Sequence, residues 1–253
     1  MTRRRWIADE VHENTALLTG EHASHLSRVL RAQVGQEFDI STGNGVRRGS
    51  IISISDERVE FALASEVEVK ASARVTLLLA IFKFDRMEWA IEKCTEIGVA
   101  RIIPIVARRT DVHLAAASDR RHERWLRIVR QASEQSRRVS PPEVSTPIKL
   151  KDLASAGDSL VSPVESGEPA LPTGARRPRI VLAESEMNNS LRDVLAPSTS
   201  EAFLAVGPEG GWTHEELSWF RQAGWAAASL GDTILRAETA AIVATALALD
   251  LLR

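Results

Sequence analysis

Residues 201–216 read Glu201-Ala202-Phe203-Leu204-Ala205-Val206-Gly207-Pro208-Glu209-Gly210-Gly211-Trp212-Thr213-His214-Glu215-Glu216. The first six are apolar apart from Glu201, too short a run for a core helix and typical of a strand buried on both faces of a parallel sheet. Three glycines and a proline then break the chain. Thr213 followed by Glu216 is a capping box, so a helix begins at once. Strand, tight turn and helix is the building unit of an α/β sheet, whose ligands sit beyond the carboxyl ends of the strands, where this turn falls. Glycine lets a ligand approach the backbone amides without side chains in the way. A plain loop needs one glycine; three around a proline and a carboxylate point to a binding turn.

The same pattern returns at Leu230-Gly231-Asp232-Thr233-Ile234-Leu235-Arg236-Ala237-Glu238-Thr239-Ala240. Ile234 and Leu235 are apolar where a loop should be polar, so a ligand, another chain or the rest of the fold must cover them. Arg236 and Glu238 follow directly. They read either as an ordinary helix-start residue and a first-turn dipole partner, or as part of a site.

Upstream, the rhythm from residue 75 is strand alternating with helix. A strand at 75–82 leads to a helix at 86–97 with Met87, Ala90, Ile91, Cys94 and Ile97 inward and Gly98 as its C-terminal cap, then a strand at 101–106 and a helix at 119–138 stopped by Pro141-Pro142. Residues 155–178 are rich in Ser, Pro and Gly and read as loop; strands at 179–183, 201–206 and 225–230 and helices at 213–223 and 236–252 complete the series. This predicts an α/β fold with a mostly parallel sheet. Residues 4–68 read instead as short strands, with turns at Gly43-Asn44-Gly45 and Ser55-Asp56-Glu57, and one helix at 22–32 whose Leu26, Val29 and Leu30 share a face. The expected organisation is a small β-barrel domain over 1–70 and an α/β domain over 73–253.

Composition narrows the function. The 253 residues are 44% hydrophobic and 26% charged, which excludes global disorder. The near-neutral net charge of −2 conceals a gradient: residues 71–150 hold 15 basic and 9 acidic side chains, between flanks with 9 against 11 and 8 against 14. An Arg-dense run from Arg120 to Arg138 can face phosphates, and it also fits a solvated amphipathic helix face. Cys94 is the only cysteine, so there is no disulfide framework or cysteine zinc site, and a reducing cytoplasm fits. The uncharged run Thr239 to Leu249 is well short of the roughly 20 residues that span a bilayer, so no membrane partner is expected. His22 and His25, three apart, lack a nearby third ligand, and no metal is expected. There is no phosphate-binding P-loop, no GxGxxG and no GxSxG elbow.

Taken together, Gly207-Pro208-Glu209-Gly210-Gly211, Leu230-Gly231 and Ile234 to Ala240 resemble the RsmE family of 16S ribosomal RNA uridine-N3 methyltransferases, in the SPOUT superfamily. His25 to Arg31 with Gly35 is similar to the family's N-terminal PUA-like RNA-binding module; Met87-Glu88-Trp89, Lys93 to Val99, Ile103-Pro104 and Glu134-Gln135-Ser136 match its catalytic domain. The resemblance implies a homodimer with a deep C-terminal trefoil knot, acting on 16S rRNA or the assembled small subunit. It implies S-adenosyl-L-methionine (SAM) as cofactor, held by Leu182, Ala183 and Glu184, by Gly207 to Gly211, and by Leu230, Gly231, Ile234, Leu235, Arg236, Thr239 and Ala240. Arg236, Glu209 and Glu238 are the candidate catalytic residues. Arg28, Arg31, Lys83, Arg86, Arg124 and Arg127 are the candidate RNA contacts. The sequence departs from the family at Asp232-Thr233, where Pro-Arg is common, at Ala237 for a threonine and at Phe84 for a glycine. Two rival readings are a SPOUT methyltransferase with another rRNA or tRNA target and a non-catalytic RNA-binding assembly protein.

Overall fold

A computed structural model describes residues 5–43, 45–68, 73–155, 177–195 and 200–252. Most of the expected 155–178 loop therefore lies outside the described residues. The chain divides into two compact units, residues 1–71 with 130–141 and residues 72–129 with 142–253. Residues 130–141, expected within the α/β domain, thus belong to the first unit.

In the first unit, strands β1 (Arg5–Ile7), β2 (Glu10–Val11), β3 (Thr15–Thr19), β4 (Glu37–Ser41), β5 (Val46–Ile54) and β6 (Arg58–Val67) form a curled sheet in the order β1-β4-β5-β6-β3-β2. All neighbours are antiparallel except β1 and β4. The Ser55-Asp56-Glu57 turn closes the β5–β6 hairpin, with the Ser55 amide bonded to the Arg58 carbonyl at 2.8 Å. Trp6, Leu18, Leu26, Ile40, Ile51, Val59 and Phe61 are buried together as its core. The single helix expected at 22–32 is a short α1 (Gly20–Ser24) that continues as one π-turn over His25–Val29. That wider turn rotates Val29 away from Leu26 and leaves it 65% exposed, which corrects the expected shared face. Segment 130–141 is tied into this unit by His22 Nε2 to Glu134 Oε2 at 2.8 Å, Arg130 to Asp9, and the Ser41 hydroxyl to the Val139 carbonyl.

The second unit is a wholly parallel sheet. Strands β7 (Arg74–Ala80), β8 (Arg101–Val106), β10 (Ile148–Lys149), β11 (Arg179–Leu182), β12 (Glu201–Val206) and β13 (Ala226–Ala228) lie in the order β10-β8-β7-β12-β11-β13, with β9 (Glu143–Val144) also on β8. Alternate residues serve opposite faces. Leu77, Leu79, Ile180, Leu204 and Val206 pack with α2 (Phe84–Ile97), α4 (His122–Gln135) and α8 (Ala237–Leu251). Leu78, Ala80, Val181, Phe203 and Ala205 pack with Phe220 of α7 (His214–Gln222) and with Trp212 and Trp225. Burial on both faces explains why these strands read as unbroken apolar runs. α8, reached from the edge strand β13, packs on α2, β7 and β12.

Local details follow the sequence closely. Gly98 caps α2 with φ +121°, a conformation costly for any other residue. Thr213 and Glu216 make the capping box of α7: the Thr213 hydroxyl accepts from the Glu216 amide and the Glu216 carboxylate from the Thr213 amide. The helix expected to run to residue 138 stops at Gln135, before the prolines. Arg137 takes φ +59°, and the Arg138 amide reaches back to the Ser133 carbonyl in a Schellman-type end. Short helices α3 (Val112–Ala117), α5 (Leu150–Ser155) and α6 (Leu191–Val194) were not expected.

Candidate active site

The parallel register brings the strand ends to one level. Val206 lies beside Leu79, Leu79 beside Pro104, and Leu182 beside Ala228. The loops leaving β11, β12 and β13 therefore open on the same edge and wall a cavity of about 750 Å³, within the usual range for small-molecule sites. Leu182, Ala183 and Glu184 form one wall, Gly207 to Gly211 a second, and Leu230 to Arg236 with Ala240 a third.

Each wall has a local cause. Trp212 is buried, stacks edge-on to Phe220 at 5.0 Å, and donates its Nε1 proton to the Leu182 carbonyl at 3.1 Å, joining the first wall to the second. A Cβ on Gly207 would come within 3.2 Å of Trp212 Nε1, so glycine permits this approach. Gly211 turns the chain at φ +68°, its amide bonded to the Pro208 carbonyl at 2.8 Å. Arg109, beyond the end of β8, donates to the Gly210 carbonyl at 2.6 Å. In the third wall Gly231 has φ +121°, and Ile234 is 78% exposed.

Of the residues assigned to a cofactor from sequence, all but Thr239 line this cavity. Thr239 does not because Ala237 and Ala240, three apart on α8, present the cavity face. The catalytic candidates separate as well. Arg236 is the N-cap of α8, lines the cavity and is exposed; among the described residues its guanidinium has no hydrogen-bond or ion-pair partner. Glu209 lines the cavity and accepts from Arg86 Nη1 at 3.1 Å. Glu238 does not line it. Its side chain is 8% exposed, its Oε1 is 3.8 Å from Arg86 Nε, and its Oε2 is buried with no hydrogen-bond partner. The partner of Glu238 is thus Arg86.

The candidate RNA contacts fall into two sets: Arg28 and Arg31 in the first unit, and Lys83, Arg86, Arg124 and Arg127 in the second. Arg28 pairs with Asp56 at 2.7 Å, a hydrogen bond that raises the guanidinium's pKa and lowers the carboxyl's. Arg31 is exposed and left-handed at φ +50°. Arg124 Nε donates to Glu88 at 2.7 Å, and Lys83 and Arg127 are exposed. Cys94 is buried under α8, and burial pushes its thiol up to about 12, which suits a packing role. Arg109 and Trp212 were missed from the sequence. Arg109 lies three residues beyond the end of the predicted strand at 101–106, a position that could have flagged it.

Comparison with known proteins decides the family. Residues 69–249 match the model of an RNA methyltransferase domain, and residues 18–63 that of an RNA methyltransferase PUA domain. The chain is 31% identical over 244 residues to the ribosomal RNA small subunit methyltransferase E of Synechocystis sp., covering 94% of this chain and 74% of that one. The chain belongs to the RsmE RNA methyltransferase family. The Bacillus subtilis protein of the same name is 28% identical, with 91% and 88% of the two chains covered. Among solved structures, the RsmE family member from Neisseria gonorrhoeae, bound to S-adenosyl methionine, superposes with a TM-score of 0.78 at 27% identity over 97% of this chain and 96% of that one. The α/β unit is accordingly a SPOUT methyltransferase fold and the curled sheet a PUA-like module. No described helix is long and apolar enough to cross a membrane.

Proposed function

We infer that this protein uses SAM to methylate N3 of a uridine in the 16S RNA of the small ribosomal subunit, as a homodimer in the cytoplasm. The observation that carries the reading is the cavity at the strand ends. It is walled by the glycine-rich turn at 207–211 and the turn at 230–236 of a chain in a family whose Neisseria member was crystallised with that cofactor.

The walls fit the cofactor. Gly207, Gly210 and Gly211 expose main-chain groups, while Leu230, Leu235 and Ala240 offer apolar contact to an adenine. Bound there, SAM supplies a methyl carbon activated by its sulfonium. The protein's tasks are to orient the uracil and to take up its N3 proton, since neutral N3 is a weak nucleophile. Arg236, exposed on the wall and unpaired among the described residues, suits the developing uracil anion. Glu209, on the second wall of the same cavity, suits the role of proton acceptor, and the burial of Glu238 away from the cavity suits an anchoring role. Ile234, 78% exposed beside the site, is a surface a second copy would cover.

The exposed Arg28, Arg31 and Arg127 and the Arg124 side chain suit phosphate contact, so binding to the RNA should weaken steeply with salt. Mapping methylated uridine in small-subunit RNA by mass spectrometry, with and without this protein, tests the function. One 3-methyluridine should disappear from 16S RNA in its absence. An unchanged map, or a mark lost from another RNA, contradicts the assignment.

A further inference from the structure

Arg86 is in an unusual place for a cation. It lies in the first turn of α2, where the helix dipole favours negative charge. Its neighbours account for it. Nη1 is 3.1 Å from Glu209 on the glycine turn, and Nε is 3.8 Å from Glu238 in the first turn of α8. One guanidinium therefore ties three elements that are remote in sequence: the start of α2, the second wall of the cavity and the start of α8.

The two carboxylates differ in what they need from it. Glu209 is exposed and solvated. Glu238 is buried, and one of its oxygens already lacks a partner, so Arg86 is the cation offsetting its charge beside the α8 N-terminus. Arg109 fastens the same turn from the other side through the Gly210 carbonyl. A turn this poor in side chains has little of its own to hold it in place.

We propose that Arg86 is a positioning residue for the cofactor site. It acts through Glu209 and Glu238 to hold the glycine turn against α8, and it is not a phosphate contact. The proposal rests on the reading of this cavity as the SAM site. A lysine at this position carries one compact charge and cannot span both carboxylates as a planar fork does.

The test compares wild type, Arg86→Lys and Arg86→Ala, measuring S-adenosylhomocysteine affinity by calorimetry, RNA affinity across a salt series, and separate KM values for SAM and RNA. Arg86→Ala should weaken S-adenosylhomocysteine and raise the KM for SAM by about tenfold or more, as expected for a displaced binding wall. Arg86→Lys should fall between it and wild type, and RNA affinity and its salt slope should stay as in wild type. Should Arg86→Ala fail to fold, the lysine variant carries the same test, and adding Glu238→Gln to Arg86→Ala should restore folding by removing the uncompensated charge. Unchanged cofactor affinity in the folded variants, with weaker RNA binding and a shallower salt slope, overturns the proposal and makes Arg86 a phosphate contact. Wild-type protein that binds no S-adenosylhomocysteine overturns the functional reading and this proposal with it.

Discussion

The turns at 207–211 and 230–236 are written alike in sequence, each a strand end, glycine, and a helix start, yet they are built differently. The first is fastened by Arg86, Arg109 and the Trp212 ring, with the capping box of α7 behind it. The second runs exposed from Gly231 to Ile234, and α8 begins at Arg236 without a side-chain cap. One wall is held by contacts from elsewhere in the chain. The other is largely exposed. Preorganisation lowers the ordering cost of binding, and the open wall leaves room for substrate and a second surface.

If this contrast is right, substitutions in the two turns should fail in different ways. The largest effect is expected at Arg236. Arg236→Ala should slow single-turnover methylation by about a hundredfold to a thousandfold, the scale of a lost oxyanion donor, while S-adenosylhomocysteine affinity and thermal stability stay near wild type. Wild-type rates would remove Arg236 from the chemistry.

Gly207→Val should act on the built wall. Its side chain presses on Trp212, whose indole is already bonded to the Leu182 carbonyl, so overpacking should cost about 1–3 kcal/mol of stability and lower cofactor affinity together. Denaturant unfolding and calorimetry read both. Ile234→Ser should do the reverse in the open wall. Its stability change should stay within about 0.5 kcal/mol because the side chain is exposed. Its cofactor affinity or dimerisation should fall about tenfold, the scale of one lost apolar contact. Equal stability losses in the two variants would erase the distinction between the walls.

The smallest effect lies outside both turns, at His22. The hydrogen bond that His22 donates to Glu134 raises the imidazole's pKa above the ordinary 6.5, against desolvation. A raised folded-state value means that the stabilisation is fully present below pH 6.5 and is lost as pH rises through the folded pKa. The difference in melting temperature between wild type and His22→Gln should therefore shrink from about pH 6 to about pH 9, with cofactor affinity unaffected. A difference that grows with pH would reverse the sign of the coupling.

Much of this architecture was legible because it is local. The strands at 101–106 and 201–206 and the cap at Thr213 follow from residues within a few positions of one another. Gly207 to Gly211 read as a binding turn from three glycines around a proline and a carboxylate, and they line the cavity. What escaped was long-range. No periodicity connects Arg86 with Glu238 or Arg109 with Gly210, since these pairs form only when the sheet aligns its strand ends. The π-turn at His25–Val29 was hidden because an α-helical period fits the same apolar residues. The left-handed Arg137 ends its helix where glycine or proline would normally signal a stop.

A crystal structure of the protein with S-adenosylhomocysteine bears most directly on the central claim. The account predicts the ligand enclosed between main-chain groups of residues 207–211 and 230–235, with the first turn unmoved and the second drawn inward. Ligand density lodged away from both turns would contradict it.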